Sequence, residues 1–228
     1  MSDGWIIIYR VQACSNLRLG VAMRMTLVES DNIIGAEVFG LAVAELSHAS
    51  DFAELERRFY HRSVLCVRDQ ALSPETLIAF AKRFGEISRT FLTHYAHPEH
   101  PDILLVSNLQ ENGRDIGYAD AGRVWHSDGS YLQRPVGVSM LYAIEVPEEN
   151  GQVLGRTNFA SAWAAYDGLS DALKEKIEGL QAVHQVAGRR KSTGTGKEDR
   201  VQHEQQPEAI HPLVRIHPYT GRKYLFVS

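Results

Sequence analysis

The stretch with the clearest chemical potential is Trp125-His126-Ser127-Asp128-Gly129-Ser130-Tyr131. On an extended backbone, residues i and i+2 point to the same face. His126 and Asp128 can therefore offer one imidazole nitrogen and one carboxylate oxygen to a single ion. That is two thirds of a 2-His-1-carboxylate set, the donor combination that holds non-haem Fe(II) and leaves coordination positions open. Spacing alone decides little. Ten histidines, each meeting acidic residues at a frequency of 28 in 228, give about 1.2 such pairs by chance, and His97-Pro98-Glu99 has the same spacing. On that ground alone a structural or surface pair is the plainer reading.

The elements that must position the pair are legible on both sides of it. Thr26-Leu27-Val28 and residues 33–39 are apolar and β-branched, with Gly35 and Gly40 as punctuation, and read as strands. Ser50 is placed to cap a helix over 51–61, in which Phe52, Leu55 and Phe59 form one stripe. Residues 64–67 read as a short buried strand. Residues 73–84 carry the fullest helix signature: Ser73 as N-cap, Pro74 at the first helical position, Glu75 in the first turn, then Leu77, Phe80, Ala81 and Phe84 on one face and Gly85 beyond the end. Residues 103–106 and 139–144 read as strands, and 160–168 and 171–179 as helices, the second capped by Ser170 and closed by Gly179. The segments HPLVRIHP and KYLFVS around Tyr219-Thr220-Gly221-Arg222 read as a hairpin.

Two segments differ in texture. In residues 1–24, Trp5-Ile6-Ile7-Ile8-Tyr9 is a short apolar run broken by Arg10; the segment is either an extension outside the domain or an N-terminal strand. Residues 187–208 hold two aliphatic residues, Ala187 and Val201, too few to bury, and read as a mobile loop within the domain. Gly194-Thr195-Gly196-Lys197 within it lacks the spacing of a phosphate-binding loop.

Composition removes several function classes. A chain of 228 residues suits one domain or a crowded two, and 44% hydrophobic and 23% charged residues are ordinary soluble globular usage. A net charge of −4 is not the footprint of a nucleic-acid binder. No apolar run is long enough to span a membrane, and no signal peptide is apparent, so the expected location is the cytoplasm. Cys14 and Cys66 lack the spacing of a disulfide framework or a cysteine zinc site.

Five blocks in order extend the argument from spacing to resemblance. They are GAEVFGL (35–41), VLCVRDQALSPETLIAFAKRFGEI (64–87), VWHSDGSYLQRPVGVSMLYAIEVPEENG (124–151), TNFASAWAAYDGLSDALKEKIEGLQAVH (157–184) and HPLVRIHPYTGRKYLFVS (211–228). From about residue 25 onward the chain resembles the Fe(II)/2-oxoglutarate-dependent dioxygenases of the taurine dioxygenase / 2,4-dichlorophenoxyacetate dioxygenase (TauD/TfdA) family. The resemblance implies an α+β fold with a jelly-roll (double-stranded β-helix) core and flanking helices, in one domain over 25–228. It implies His126 and Asp128 as iron ligands, at a strand end with converging side chains. It implies Thr157 as the hydroxyl that meets the far carboxylate of 2-oxoglutarate. The implied reaction couples oxidative decarboxylation of 2-oxoglutarate to succinate and CO₂ with hydroxylation by O₂ of a small organic substrate, anionic ones included.

The chain departs from the family pattern twice. Residues 153–156 are inserted where the family carries Gly-Gly-Asp-Thr, so Thr157 stands displaced from Gly151-Gln152. The family's distal histidine ligand and the arginine for 2-oxoglutarate follow the hairpin with which this sequence ends, so an incomplete jelly roll is expected. His211 and His217 are the alternative third ligands, with turn-flanking histidine as the plainer reading, and Arg215 and Arg222 match structural basic residues. His94, His97 and His100 fall where relatives place a substrate histidine. Two other readings stand beside the dioxygenase: a truncated, catalytically silent relative, and a zinc hydrolase built on His126, Asp128 and another histidine, which lacks an HExxH-type signature. The apolar end Lys223-Tyr224-Leu225-Phe226-Val227 is expected to be an exposed edge prone to self-association.

Overall fold

The structure is a computed structural model that describes residues 4–10, 25–46, 49–119, 121–122, 124–186 and 207–227. In chain order the elements are β1 (Gly4–Arg10), β2 (Thr26–Glu29), β3 (Ala36–Phe39), α1 (Ala49–Arg62), β4 (Val64–Gln70), α2 (Pro74–Ala81), β5 (Gln110–Glu111), β6 (Arg114–Asp115), β7 (Val138–Ala143), β8 (Glu148–Glu149), β9 (Gln152–Val153), α3 (Ala162–Asp167), α4 (Asp171–Ile177), β10 (Gln181–His184), β11 (Ala209–Pro212), β12 (Val214–Ile216) and β13 (Lys223–Leu225). Most of the loop expected at 187–208 lies outside the described residues, as do Cys14 and the Gly194-Thr195-Gly196-Lys197 segment.

One five-stranded sheet, in the order β2-β3-β4-β1-β7, forms the base. β2 and β3 are antiparallel; β3–β4, β4–β1 and β1–β7 are parallel. β1 thus lies inside the sheet, its backbone paired from Trp5 to Val64 on one side and to Ser139 on the other. Of the two readings of the N-terminal segment, residues 4–10 follow the strand; residues 11–24 lie outside the described residues.

The core forms because the periodicities of strand and helix agree. Ala36 and Val38 of β3 and Leu65 and Val67 of β4 alternate inward, and the Leu55 and Phe59 stripe of α1 and Phe80 of α2 bury against them. Both helices cover the same face, so the sheet is not doubly wound. Phe52, Phe59, Phe80 and Phe84 meet edge to face with centroids 4.9–6.4 Å apart. The Ser73 hydroxyl accepts from Thr76 N–H at 3.3 Å, and Ser161 and Ser170 cap α3 and α4 in the same way. The helix expected to run to 84 is α-helical only to Ala81 and tightens into a 3₁₀ turn over Lys82–Phe84.

Four expectations are corrected. Ser50 is not a cap, because α1 has already started at Ala49. Residues 33–35 turn rather than extend: Ser30 N–H donates to Gly35 O and its hydroxyl to Ile34 O. The strand expected at 103–106 is a loop with one isolated bridge, Ala96 to Leu104, since its hydrogen bonds go to neighbouring loop backbone such as Tyr118 N–H to Leu105 O. The residues of the apolar end are not laid bare: Tyr224 and Phe226 are buried, and Val227 remains exposed.

Truncating Phe59, which is 1% exposed at the centre of this core, is expected to cost about 3–5 kcal/mol. Urea unfolding of Phe59→Ala should show a lower midpoint with an unchanged slope.

Candidate metal centre

His126 and Asp128 lie on the irregular connection that enters β7. The expected strand end is therefore a turn. It still brings the two side chains together: His126 Nε2 stands 3.2 Å from Asp128 Oδ1. The turn depends on Gly129, whose φ of 62° is left-handed; a Cβ there would meet Val136 Cγ2 at 2.7 Å.

The outer atom of each donor is also engaged. Val124 O accepts from the Nδ1 side of His126 at 2.8 Å. With Nδ1 as donor, the neutral imidazole presents its lone pair at Nε2, the tautomer a metal requires. Ser139, on β7, donates its hydroxyl to Asp128 Oδ2 at 2.5 Å, leaving Oδ1 to face His126. Two donors each about 2.1 Å from a first-row ion, at right angles, stand about 3.0 Å apart. The observed 3.2 Å fits two adjacent positions on such an ion. The hydrogen bond to Asp128 raises the His126 pKa, burial opposes it, and the Val124 carbonyl reinforces it. A cation taking the pair displaces that proton, so its binding weakens as pH falls.

The other histidine–acid spacings do not converge in this way. His97 Nδ1 accepts from Glu99 and His100 backbone N–H. His100, which has Asp102 two residues on, reaches instead to Glu75 at 3.1 Å, and Asp102 pairs with Arg89 at 2.6 Å. His94 packs on Tyr95. Among the described residues no third His, Cys, Asp or Glu joins a metal-holding group. The two alternative third ligands are engaged elsewhere. His211 Nε2 contacts the carbonyls of Ser130 and Leu132. His217 Nδ1 accepts from Tyr219 and Thr220 N–H and its ring packs on Tyr60, the turn-flanking role that was the plainer reading. Arg215 lies over the Phe226 ring and Arg222 over Trp163, in keeping with structural roles.

Thr157 is exposed in the connection between β9 and α3. A hairpin that the sequence reading missed precedes it: Asn150 and Gly151, both at positive φ, turn β8 into β9. Of residues 153–156, Val153 pairs with Glu148 and Leu154 N–H donates to Pro147 O, while Gly155 and Arg156 lie beyond the strand. Asn112-Gly113 does the same between β5 and β6. Asn-Gly is the strongest short-range hairpin signal, and both dipeptides stand in plain view in the sequence.

The family model for "Taurine catabolism dioxygenase TauD, TfdA family" matches residues 26–228. The chain belongs to the TauD/TfdA family. Pentalenolactone F synthase of Streptomyces arenae is 35% identical over 208 residues, covering 86% of this chain and 68% of the relative. The alpha-ketoglutarate-dependent 2,4-dichlorophenoxyacetate dioxygenase of Cupriavidus pinatubonensis is 32% identical over 206 residues, covering 86% and 70%. A crystal structure of a taurine dioxygenase from Burkholderia xenovorans superposes with a TM-score of 0.61 at 22% identity, over 90% of this chain and 63% of that one, and shows the fold alone. The chain thus spans about two thirds of the length of these TauD/TfdA proteins. By class the family is one of 2-oxoglutarate-dependent dioxygenases, with Fe(II) and 2-oxoglutarate as cofactor and cosubstrate. No helix among the described residues is long and apolar enough to cross a membrane.

Two outcomes test this geometry. Gly129→Ala forces an L-residue into the left-handed region against Val136, at a cost of about 1–3 kcal/mol, and calorimetry should show a lowered Tm. His217 should make stability pH-dependent, because burial pushes its pKa down to about 4 from 6.5. Across that window the unfolded chain takes up a proton that the native chain refuses, so stability falls as pH drops from about 6.5 to 4. His217→Asn, which keeps an acceptor for Tyr219 and Thr220, should flatten this part of the urea-midpoint profile.

Proposed function

We propose that this chain is an Fe(II)- and 2-oxoglutarate-dependent dioxygenase that hydroxylates a small organic substrate, with His126 and Asp128 as two iron ligands. The observation that carries the reading is the 3.2 Å approach of His126 Nε2 to Asp128 Oδ1, with Val124 and Ser139 engaging the opposite atom of each group. Fe(II) bound there would supply the redox chemistry that couples O₂ and 2-oxoglutarate to substrate hydroxylation, yielding succinate and CO₂.

The chain's own residues have simpler tasks. Val124 holds the His126 proton on Nδ1, and Ser139 keeps Asp128 Oδ1 turned to the same point. Thr157 is the proposed hydroxyl for the far carboxylate of 2-oxoglutarate; its support is the match to the family threonine. The small-molecule substrate class is supported by the names of the relatives. The proposed core is the family's jelly roll, supported by the likeness to the taurine dioxygenase structure, and the proposed domain is 25–228.

One observation favours a second reading, a catalytically silent relative: no third ligand joins the pair among the described residues. Loss of support around a metal typically costs 10–100-fold in affinity, so a two-ligand site binds Fe(II) weakly. Anaerobic titration with Fe(II) and 2-oxoglutarate separates the readings. A visible charge-transfer band that His126→Ala abolishes, with succinate formed on admitting O₂, supports the dioxygenase. A faint band with no succinate supports the silent relative, and a band that persists in His126→Ala overturns the ligand assignment.

A further inference from the structure

His211 stands 83 positions after Asp128 in sequence and touches the same turn. Its Nε2 lies 3.0 Å from Ser130 O and 2.9 Å from Leu132 O. Carbonyls only accept, so Nε2 carries the proton and shares it between the two in a three-centre bond. Both carbonyls belong to the tight turn that starts at Asp128. Ser130 N–H reaches back to Ser127 O at 3.3 Å, Leu132 N–H to Gly129 O at 2.9 Å, and Ser130 is buried.

The His211 ring is itself fixed. It is 5% exposed and sits opposite Ala182 in the β10–β11 ladder. It meets His184 edge to face at 5.3 Å and Phe226 at 5.2 Å, while His184 stacks on Phe226 at 4.7 Å. A buried donor on a rigid platform thus meets two carbonyls of the donor-pair turn. Without it both carbonyls would lack that partner, and for the buried Ser130 the cost is that of an unsatisfied buried acceptor.

We propose that His211 is a positioning residue for the metal pair. It clamps the turn from the side of the C-terminal hairpins while Ser139 holds Asp128 from the side of the sheet, and the two together set the aim of Oδ1. This rests on the reading of His126 and Asp128 as metal ligands. It also gives His211 a task that excludes ligation through Nε2.

The test uses the full chain and Mn(II) alone, followed by loss of the free-ion six-line EPR signal at concentrations up to millimolar. His211→Leu keeps bulk and removes the donor; His211→Gln returns an N–H close to the Nε2 position. Melting curves establish that each variant is folded. The expected result is Mn(II) binding weakened roughly 10–100-fold in His211→Leu and restored to within about threefold in His211→Gln. A merely structural role would lower the Tm of both variants without this rescue. If His211→Leu loses its cooperative melt, His211→Asn replaces it, since its shorter amide cannot span both carbonyls. Unchanged Mn(II) binding in the donor-deficient variant, or no recovery in His211→Gln, overturns the proposal while Asp128→Ala still abolishes binding. If Asp128→Ala binds Mn(II) as the wild type does, the ligand reading fails and this proposal falls with it.

Discussion

The Ser139 hydroxyl on Asp128 Oδ2 is the bond that ties the donor pair to the rest of the molecule. Asp128 sits on a turn with no ladder of its own, and a carboxylate on such a segment would rotate freely. Ser139 comes from β7, whose backbone is paired along its length to β1. One oxygen of Asp128 is therefore referenced to the sheet, and the other is directed by consequence. The same logic holds for His126, whose ring is referenced to the backbone two residues before it. Neither side chain needs deep burial to be oriented, because each spends one of its two polar atoms on support.

The hydrophobic core lies elsewhere. Val38, Leu65 and Val67 face α1 and α2, and the aromatic cluster between those helices contains none of the site residues. Gln70 closes the end of that core, its amide donating to Leu41 O and its oxygen accepting from Val43 N–H at 2.9 Å. Most of the apolar burial and the site geometry are thus carried by different contacts, joined through the sheet. A second small cluster of His184, His211, Tyr224 and Phe226 underlies the C-terminal hairpins. It explains why the apolar residues at that end are covered: their partners are histidine rings, which a hydropathy reading counts as polar.

The sequence is most readable where one residue type has one physical use. Ser73-Pro74-Glu75 can hardly mean anything but a helix start, and the phenylalanine spacing on α1 and α2 names the buried face. The approach of His126 to Asp128 is legible in their spacing, although the geometry that unites them is a glycine turn rather than the strand the spacing implied. Other features were not legible. Nothing in Trp5-Ile6-Ile7-Ile8-Tyr9 says which strands will flank it, because pairing partners are chosen by tertiary context. The tether from His211 to Ser130 and Leu132 joins side chain to backbone, and backbone carbonyls leave no mark in a sequence. The two Asn-Gly turns are signalled by their dipeptides alone, their flanking strands being too short to show alternation.

The position of β1 carries a kinetic consequence. Gly4 pairs with Val138, more than 130 positions away, while Trp5 pairs with Val64. β1 precedes β7 in the chain, so its neighbourhood is complete only after β7 has been made. Until then one side of β1 has no ladder, and the β7 scaffold for Ser139 does not exist. Closing so long a loop adds little to the equilibrium cost, since loop entropy grows only logarithmically with length. It weighs heavily on rate, because non-local pairings must be searched for before they stabilise anything. The turn that carries His126 and Asp128 thus leans on a strand whose pairing needs the chain made through β7, and until then one edge of β1 is open to other chains.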